Sequence, residues 1–200
     1  MSHPDSLNPA QRDAVLHTDG PLLILAGAGS GKTRVITYRL TELLRRGVPA
    51  QRLLVVTFTN KAAAELRHRV EQLLLADRLP GSPYPELPRW IGTFHSIGAR
   101  LLRALASYAK LPQSFVILDE DDQLKICKEL LAEAQIDERM LPPRALRAHI
   151  DRAKNQGLLA DEFTGTDYFS DLVRKLYKRY EERLLHIGAA DFGDLLLLPV

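Results

Sequence analysis

The sequence predicts an α/β fold: a parallel, doubly wound sheet flanked by helices, followed by a mainly helical second half. Three observations carry this expectation. Short β-rich runs at residues 22–26, 53–59 and 90–94 alternate with helical patterns, the signature of a parallel sheet. A glycine-rich turn, Gly27-Ala28-Gly29-Ser30-Gly31, joins the first run to a helix. From Ile97 almost to the end, apolar residues recur at helical spacing, at Ile97, Leu101, Leu105 and Tyr108 and again at Phe169, Leu172, Leu176, Tyr180, Leu184 and Ile187.

The elements follow in order. The first eight residues are polar and carry no apolar targeting core, and no apolar stretch is long enough to span a bilayer. Cytoplasm is the expected compartment. Leu7-Asn8-Pro9-Ala10-Gln11 opens a short helix. The run at 22–26 reads as a strand, and a helix over about 32–46 is closed by Gly47 with Pro49 just beyond. After the second strand, Asn60 is expected to cap a helix reaching Asp77. Residues 79–88 are too rich in proline for regular structure and read as an exposed loop before the third strand. Cys127 is the single cysteine, which rules out an internal disulfide. It falls in the stripe Leu124, Cys127, Leu131, Ala134 and is expected in the core.

Composition bounds this picture. With 200 residues and 46% hydrophobic content the chain can bury a core, as one α/β domain or one with an insertion. A net charge of +2 neither demands nor excludes nucleic acid, so any basic surface has to be argued locally.

The glycine-rich turn closes on Gly31-Lys32-Thr33, the form of a phosphate-binding loop. Small residues let backbone N–H groups converge on an anion, and the following helix adds its N-terminal donors and dipole. Lys32 would place a positive charge on the β- and γ-phosphates of a nucleoside triphosphate, and the Thr33 hydroxyl would ligate the accompanying Mg²⁺. Ala26 stands where the usual pattern has its first glycine. The bland alternative is a glycine-rich turn with an incidental lysine. Gln11 carries an amide able to pair with the N6/N7 edge of adenine. At the C-terminal ends of the second and third runs lie Thr57-Phe58-Thr59-Asn60-Lys61 and Gly92-Thr93-Phe94-His95-Ser96, where open parallel sheets bind ligands. Their hydroxyl, amide and aromatic groups suit a polymer of phosphates and stackable bases.

Together these segments resemble the UvrD/Rep/PcrA family of superfamily 1 DNA helicases over nearly the whole chain. The Gln11 segment resembles the family's Q motif, Ala26 to Thr33 its motif I, Thr57 to Ala63 its motif Ia and Gly92 to Ile97 its motif Ib. Ile150-Asp151-Arg152-Ala153-Lys154-Asn155 and Ala190-Asp191-Phe192-Gly193-Asp194-Leu195-Leu196 look like segments in and after the family's helical insertion. The resemblance implies a RecA-like P-loop domain over 1–98, an all-α inserted subdomain over 99–187 and a return segment over 188–200. It implies an ATP-dependent, 3′ to 5′ DNA helicase of repair or replication, using ATP and Mg²⁺ and acting on single-stranded DNA. Nucleotide contacts would come from Gln11, Ala26, Gly27, Ala28, Gly29, Ser30, Gly31, Lys32, Thr33 and Arg34, with Lys32 and Thr33 catalytic. Phe58, Asn60, Thr93 and His95 would line the DNA track. In relatives the acidic hydrolysis motif follows the Asp191–Leu196 type of segment. The chain is therefore expected to be an amino-terminal portion and inactive as a motor by itself.

Each carry-over has an alternative. Phe58 and Phe94 read equally as core aromatics or as base-stacking groups, and His95 equally as a structural histidine. The spacing of the histidines suggests no metal site beyond Mg²⁺. The basic run Arg174-Lys175-Leu176-Tyr177-Lys178-Arg179 reads as a solvated helix face, whereas Arg144, Arg147, Arg152 and Lys154 are candidates for duplex DNA contact. Phe115-Val116-Ile117-Leu118-Asp119-Glu120 has the spelling of an acidic hydrolysis motif, which would make the chain a self-contained small ATPase. The acidic run ahead of a helix is better explained by capping. A third class is a catalytically silent ATP- and DNA-binding module.

Overall fold

The structure, a computed structural model, describes residues 7–79, 86–164 and 167–200. The chain divides into two compact units, Met1–Ile97 and Gly98–Val200. Helix and short parallel strands mix in both, as an α/β chain should.

In the first unit, helix α1 (Pro9–Leu16) starts on a capping box. The Asn8 side chain accepts from the Gln11 N–H at 2.8 Å, and the Gln11 side chain accepts from the Asn8 N–H at 3.2 Å. Proline at the first helical position costs nothing there, because that N–H has no intrahelical partner. Val15 of α1 is buried with Leu7 and with Val35 of helix α2 (Lys32–Arg45). Helix α2 ends as expected: Gly47 and Val48 donate to Leu44 and Leu43, a Schellman closure with Gly47 at φ 84°. Strand β1 (Leu54–Thr57), helix α3 (Asn60–Ala76) and strand β2 (Trp90–Thr93) then form a βαβ unit. The strands are parallel, in register from Leu54 opposite Trp90 to Thr57 opposite Thr93. Leu40, Leu66, Val70 and Ile91 bury the helices against the sheet, and the Arg67 guanidinium donates to the Ile91 carbonyl at 3.0 Å.

Two expectations for this unit need correcting. Residues 22–26 are not a strand. An apolar run becomes a strand only where neighbours complete its ladder, and among the described residues β1 pairs only with β2. Leu23 and Leu25 stand 81% and 86% exposed. The cap of α3 is Thr59, which accepts from the Ala62 N–H at 3.1 Å, so Asn60 is the first helical residue and its amide is left exposed. Of the expected loop at 79–88, residues 79 and 86–88 are irregular, and 80–85 lie outside the described residues.

The second unit holds the end of helix α4 (Phe94–Ala104), strand β3 (Val116–Ile117) and helices α5 (Glu120–Glu133), α6 (Pro143–Asn155) and α7 (Tyr168–His186). Strand β4 (Ala189–Ala190) and the short helix α8 (Asp194–Leu197) complete it. Helices α5, α6 and α7 close on Cys127, Leu130, Leu131, Leu146, Ile150, Leu176, Tyr177 and Tyr180. The helical stretch after Ile97 is interrupted, contrary to the periodicity: β3 pairs in parallel with β4. Helix α4 also stops at Ala104, so Leu105 and Tyr108 fall outside it and are exposed, while Ala99, Leu102 and Ala106 face a smaller core. On α7 the buried residues are Val173, Leu176, Tyr177, Tyr180 and Leu184, with Phe169 and Ile187 exposed at the two ends. A Cβ at Gly98 would sit 1.9 Å from the Leu195 carbonyl oxygen, so α4 rests directly on the backbone of α8.

A buried charge cluster ties α6 to the segment between β4 and α8. Lys154 Nζ donates to Asp191 Oδ2 at 2.7 Å and to Asp194 Oδ1 at 2.6 Å, and the Tyr180 hydroxyl donates to Asp191 Oδ2 at 3.0 Å. Asp191 and Asp194 accept each other's backbone N–H. Burial works against the Lys154 charge, but Asp194 and Asp191 outweigh it and the ammonium is held above its ordinary range. One cation faces two buried carboxylates, so burial, together with the Asp191 charge, pushes the Asp194 carboxyl up. The folded chain thus holds a proton that the unfolded chain releases just above 3.8, and in that window stability falls as pH rises. The Lys154 contribution has the same sign but is complete below 10.5 and fades only above it. No helix among the described residues is long and apolar enough to cross a membrane.

Lys154→Met should lower the unfolding free energy in urea by about 3–5 kcal/mol at neutral pH, because it strands two buried carboxylates. The deficit should shrink as pH falls and the Asp194 carboxyl, already pushed up by burial, meets the site as a neutral acid. Burial pushes the Cys127 thiol up to about 12. A disulfide reagent at pH 8 should therefore label Cys127 only after denaturant is added.

Candidate nucleotide-binding site

The loop at 26–31 is built from backbone. Gly29 and Gly31 take φ of 75° and 85°, the left-handed region that other residues enter only at a cost. Nothing lies within 4 Å of a Cβ built on Gly27 or Gly29, so the loop leaves open space on that side. Ser30 folds back, its hydroxyl donating to the Gly27 carbonyl at 2.7 Å. Lys32 Nζ donates to the Ala26 and Gly27 carbonyls at 2.8 and 2.7 Å, which puts the ammonium against the loop. Thr33, in the first turn of α2, is exposed, and its hydroxyl makes no hydrogen bond among the described residues. Arg34 lies over the Tyr38 ring, 5.7 Å from its centroid.

Gln11 reaches this loop across the sequence. Its Nε2 donates to the Ser30 carbonyl at 2.9 Å, and a Cβ at Gly31 would stand 2.9 Å from the same nitrogen. The amide that the sequence singles out for adenine is therefore seated beside the glycine loop. Asn8 anchors it through the capping box, a link for which Asn8 was assigned no role from the sequence. Its signal was the Asn-x-x-Gln spacing ahead of an apolar pattern. These groups fit a nucleoside triphosphate: a cation beside an open glycine loop, a free hydroxyl in the first helical turn and an amide at one side. Among the described residues no three His, Cys, Asp or Glu side chains are grouped to hold a metal.

The expected nucleic-acid residues fall together at the ends of the paired strands. Because Thr57 and Thr93 are opposite each other, Phe58 and Phe94 follow side by side, with ring centroids 6.1 Å apart at 52°. Phe58 is 92% exposed and Phe94 53%. Neither is a core aromatic. His95 and Asn60 are exposed, while Thr93 exchanges bonds with Ser96: its Oγ1 accepts from the Ser96 N–H and its N–H donates to the Ser96 hydroxyl. A cleft of about 350 Å³ runs alongside, lined in part by Asn60, Arg67, His68, Glu71 and Ser96. Arg67 and His68 were not anticipated, although Asn60, Arg67 and Glu71 recur at helical spacing on α3.

The other candidates resolve by local chemistry. Asp119 is the N-cap of α5, accepting from the Asp122 N–H at 2.9 Å, and Glu120 pairs with Arg147 at 2.7 Å. Both carboxylates of the rival acidic motif thus have structural work. Of the four cations expected to meet duplex DNA, Lys154 is buried in its carboxylate cluster and Arg147 bridges Glu120 and Asp151, which removes both. Arg144 and Arg152 are exposed and make no ion pair among the described residues. The basic run on α7 is a solvated face, with Arg174 and Lys175 on Asp171, Lys178 on Asp161 and Arg179 on Glu133.

Comparison with known proteins gives a consistent result. The family model for the UvrD/REP helicase N-terminal domain matches residues 7–200. The chain is 40% identical over 197 residues to ATP-dependent DNA helicase PcrA of Bacillus subtilis and 42% identical over 195 residues to DNA helicase II of Escherichia coli. It is 41% identical over 198 residues to a probable DNA helicase II homolog of Rickettsia conorii. The matches cover 96–97% of this chain but 26–29% of those relatives, so the chain spans just over a quarter of their length.

Gly31→Ala should strain the loop by about 1–2 kcal/mol through its left-handed φ and push the Gln11 amide aside. A thermal-shift titration should then show weaker stabilisation of the variant by Mg·ATP than of the wild type, at equal ligand concentration.

Proposed function

The chain belongs to the UvrD/REP helicase N-terminal domain family, and we propose that it is the ATP- and DNA-binding portion of an ATP-dependent DNA helicase. That enzyme translocates 3′ to 5′ on single-stranded DNA in repair or replication. Residues 1–98 and 188–200 are assigned to a RecA-like domain and 99–187 to its helical insertion. Ala26, Gly27, Ala28, Gly29, Ser30 and Gly31 surround the phosphates of ATP, with Lys32 supplying positive charge to the β- and γ-phosphates. Gln11 contacts adenine and Arg34 lies near the base. Mg²⁺, when bound, offsets phosphate charge, and Thr33 is the residue here that would ligate it.

The DNA track is assigned to Phe58, Asn60, Thr93 and His95. The observation that carries this reading is the exposed Phe58–Phe94 pair at the ends of two in-register parallel strands. Two large aromatics held in water at a strand edge lose burial energy that a stacked base would return. Sequence-independent stacking also suits a protein that must move along any strand. The relatives' names, ATP-dependent DNA helicase and DNA helicase II, support a role on DNA.

Fluorescence anisotropy with a labelled single-stranded oligothymidine tests the assignment. Phe58→Ala should weaken binding by about 1–3 kcal/mol for the lost stack while leaving the salt slope unchanged, because no phosphate-neutralising charge is removed. Unaltered affinity in the variant would remove Phe58 from the track.

A further inference from the structure

We infer that Asn8 is a positioning residue for purine discrimination: together with the Ser30 carbonyl it locks the Gln11 carboxamide in one orientation. The inference rests on the reading of Gln11 as the adenine-contacting group.

A carboxamide carries two N–H donors and two acceptor lone pairs. Gln11 commits one of each inside the protein: Nε2 donates to the Ser30 carbonyl at 2.9 Å, and Oε1 accepts from the Asn8 N–H at 3.2 Å. Turning the amide over would set its nitrogen against the Asn8 N–H and its oxygen against the Ser30 carbonyl. Both bonds would be lost and two like dipoles opposed. One donor and one acceptor therefore remain available, in a fixed order. The adenine N6/N7 edge asks for one acceptor and one donor, whereas the guanine edge presents O6 and N7, both acceptors. A locked amide meets guanine with its oxygen facing an oxygen, and it cannot swing away to relieve the contact.

Asn8 holds the lock through its side chain. Its Oδ1 accepts from the Gln11 N–H at 2.8 Å, and this fixes the backbone N–H that Gln11 Oε1 uses in return. Gly31 leaves the room that the amide nitrogen occupies. Without the Asn8 cap, the first turn of α1 and the Gln11 side chain gain rotational freedom that binding must remove again.

Calorimetric titrations of the chain with Mg²⁺ and, in turn, ATP, GTP and inorganic tripolyphosphate test this, using the wild type, Asn8→Ala, Asn8→Asp and Gln11→Ala. Asn8→Ala should lower the ATP-over-GTP affinity ratio roughly threefold to tenfold with tripolyphosphate affinity unchanged, and Asn8→Asp, an equivalent cap, should restore the ratio. Should Asn8→Ala fail to fold, Asn8→Gly, which removes Oδ1 at little cost to the cap position, carries the same comparison. An unaltered ratio in Asn8→Ala beside a collapsed ratio in Gln11→Ala would overturn the positioning role and leave the adenine reading standing. Equal weakening of all three ligands in Asn8→Ala would reduce Asn8 to a structural cap and also overturn it. A ratio untouched by Gln11→Ala would overturn both.

Discussion

A glycine-rich loop with open space on one side must still keep its shape, and here the shape is held from the side by a single carboxamide. Gln11 closes the capping box of α1 and reaches the Ser30 carbonyl, so α1 and the glycine turn are joined directly. Lys32 completes the arrangement from within, with its ammonium on the Ala26 and Gly27 carbonyls. The rest of the first unit follows from the helix that Gly31 launches. Helix α2 packs through Leu40 onto Leu66 and Val70 of α3 and Ile91 of β2, and the β1–β2 register carries Phe58 and Phe94 to one edge.

The second unit answers a different constraint. Its helices bury a lysine, which is tolerable only because two aspartates accept from the ammonium, one of them held in turn by the Tyr180 hydroxyl. The cluster fixes the segment between β4 and α8, and Gly98 lets α4 lie against the backbone of α8. Positive charge that looks available in a linear reading is consumed by this packing. Lys154 and Arg147 serve the fold, while Arg144 and Arg152, on the same helix, stay in water.

Much of the candidate site was legible because its chemistry is local. The glycines, Lys32 and Thr33 are contiguous, and the capping residues of α1 and α5 announce themselves within four positions. Helices α2 and α3 were readable to within a residue or two from periodicity and Gly47. What was not legible depends on partners distant in sequence. Residues 22–26 have the composition of a strand but, among the described residues, no neighbour to complete a ladder. The β3–β4 pair joins dipeptides more than seventy residues apart and is too short for any period to reveal. The exposure of Phe58, like the burial of Lys154, is a property of the assembled surface, since composition permits either state for both side chains.

The nucleotide assignment at the glycine loop is the premise for the rest, and the most direct measurement is a calorimetric titration of the wild-type chain and Lys32→Ala with Mg·ATP. One saturable site in the wild type, lost or severely weakened in Lys32→Ala while both proteins melt alike, is the expected result. Binding of equal strength in the two proteins, or none in the wild type, would contradict it.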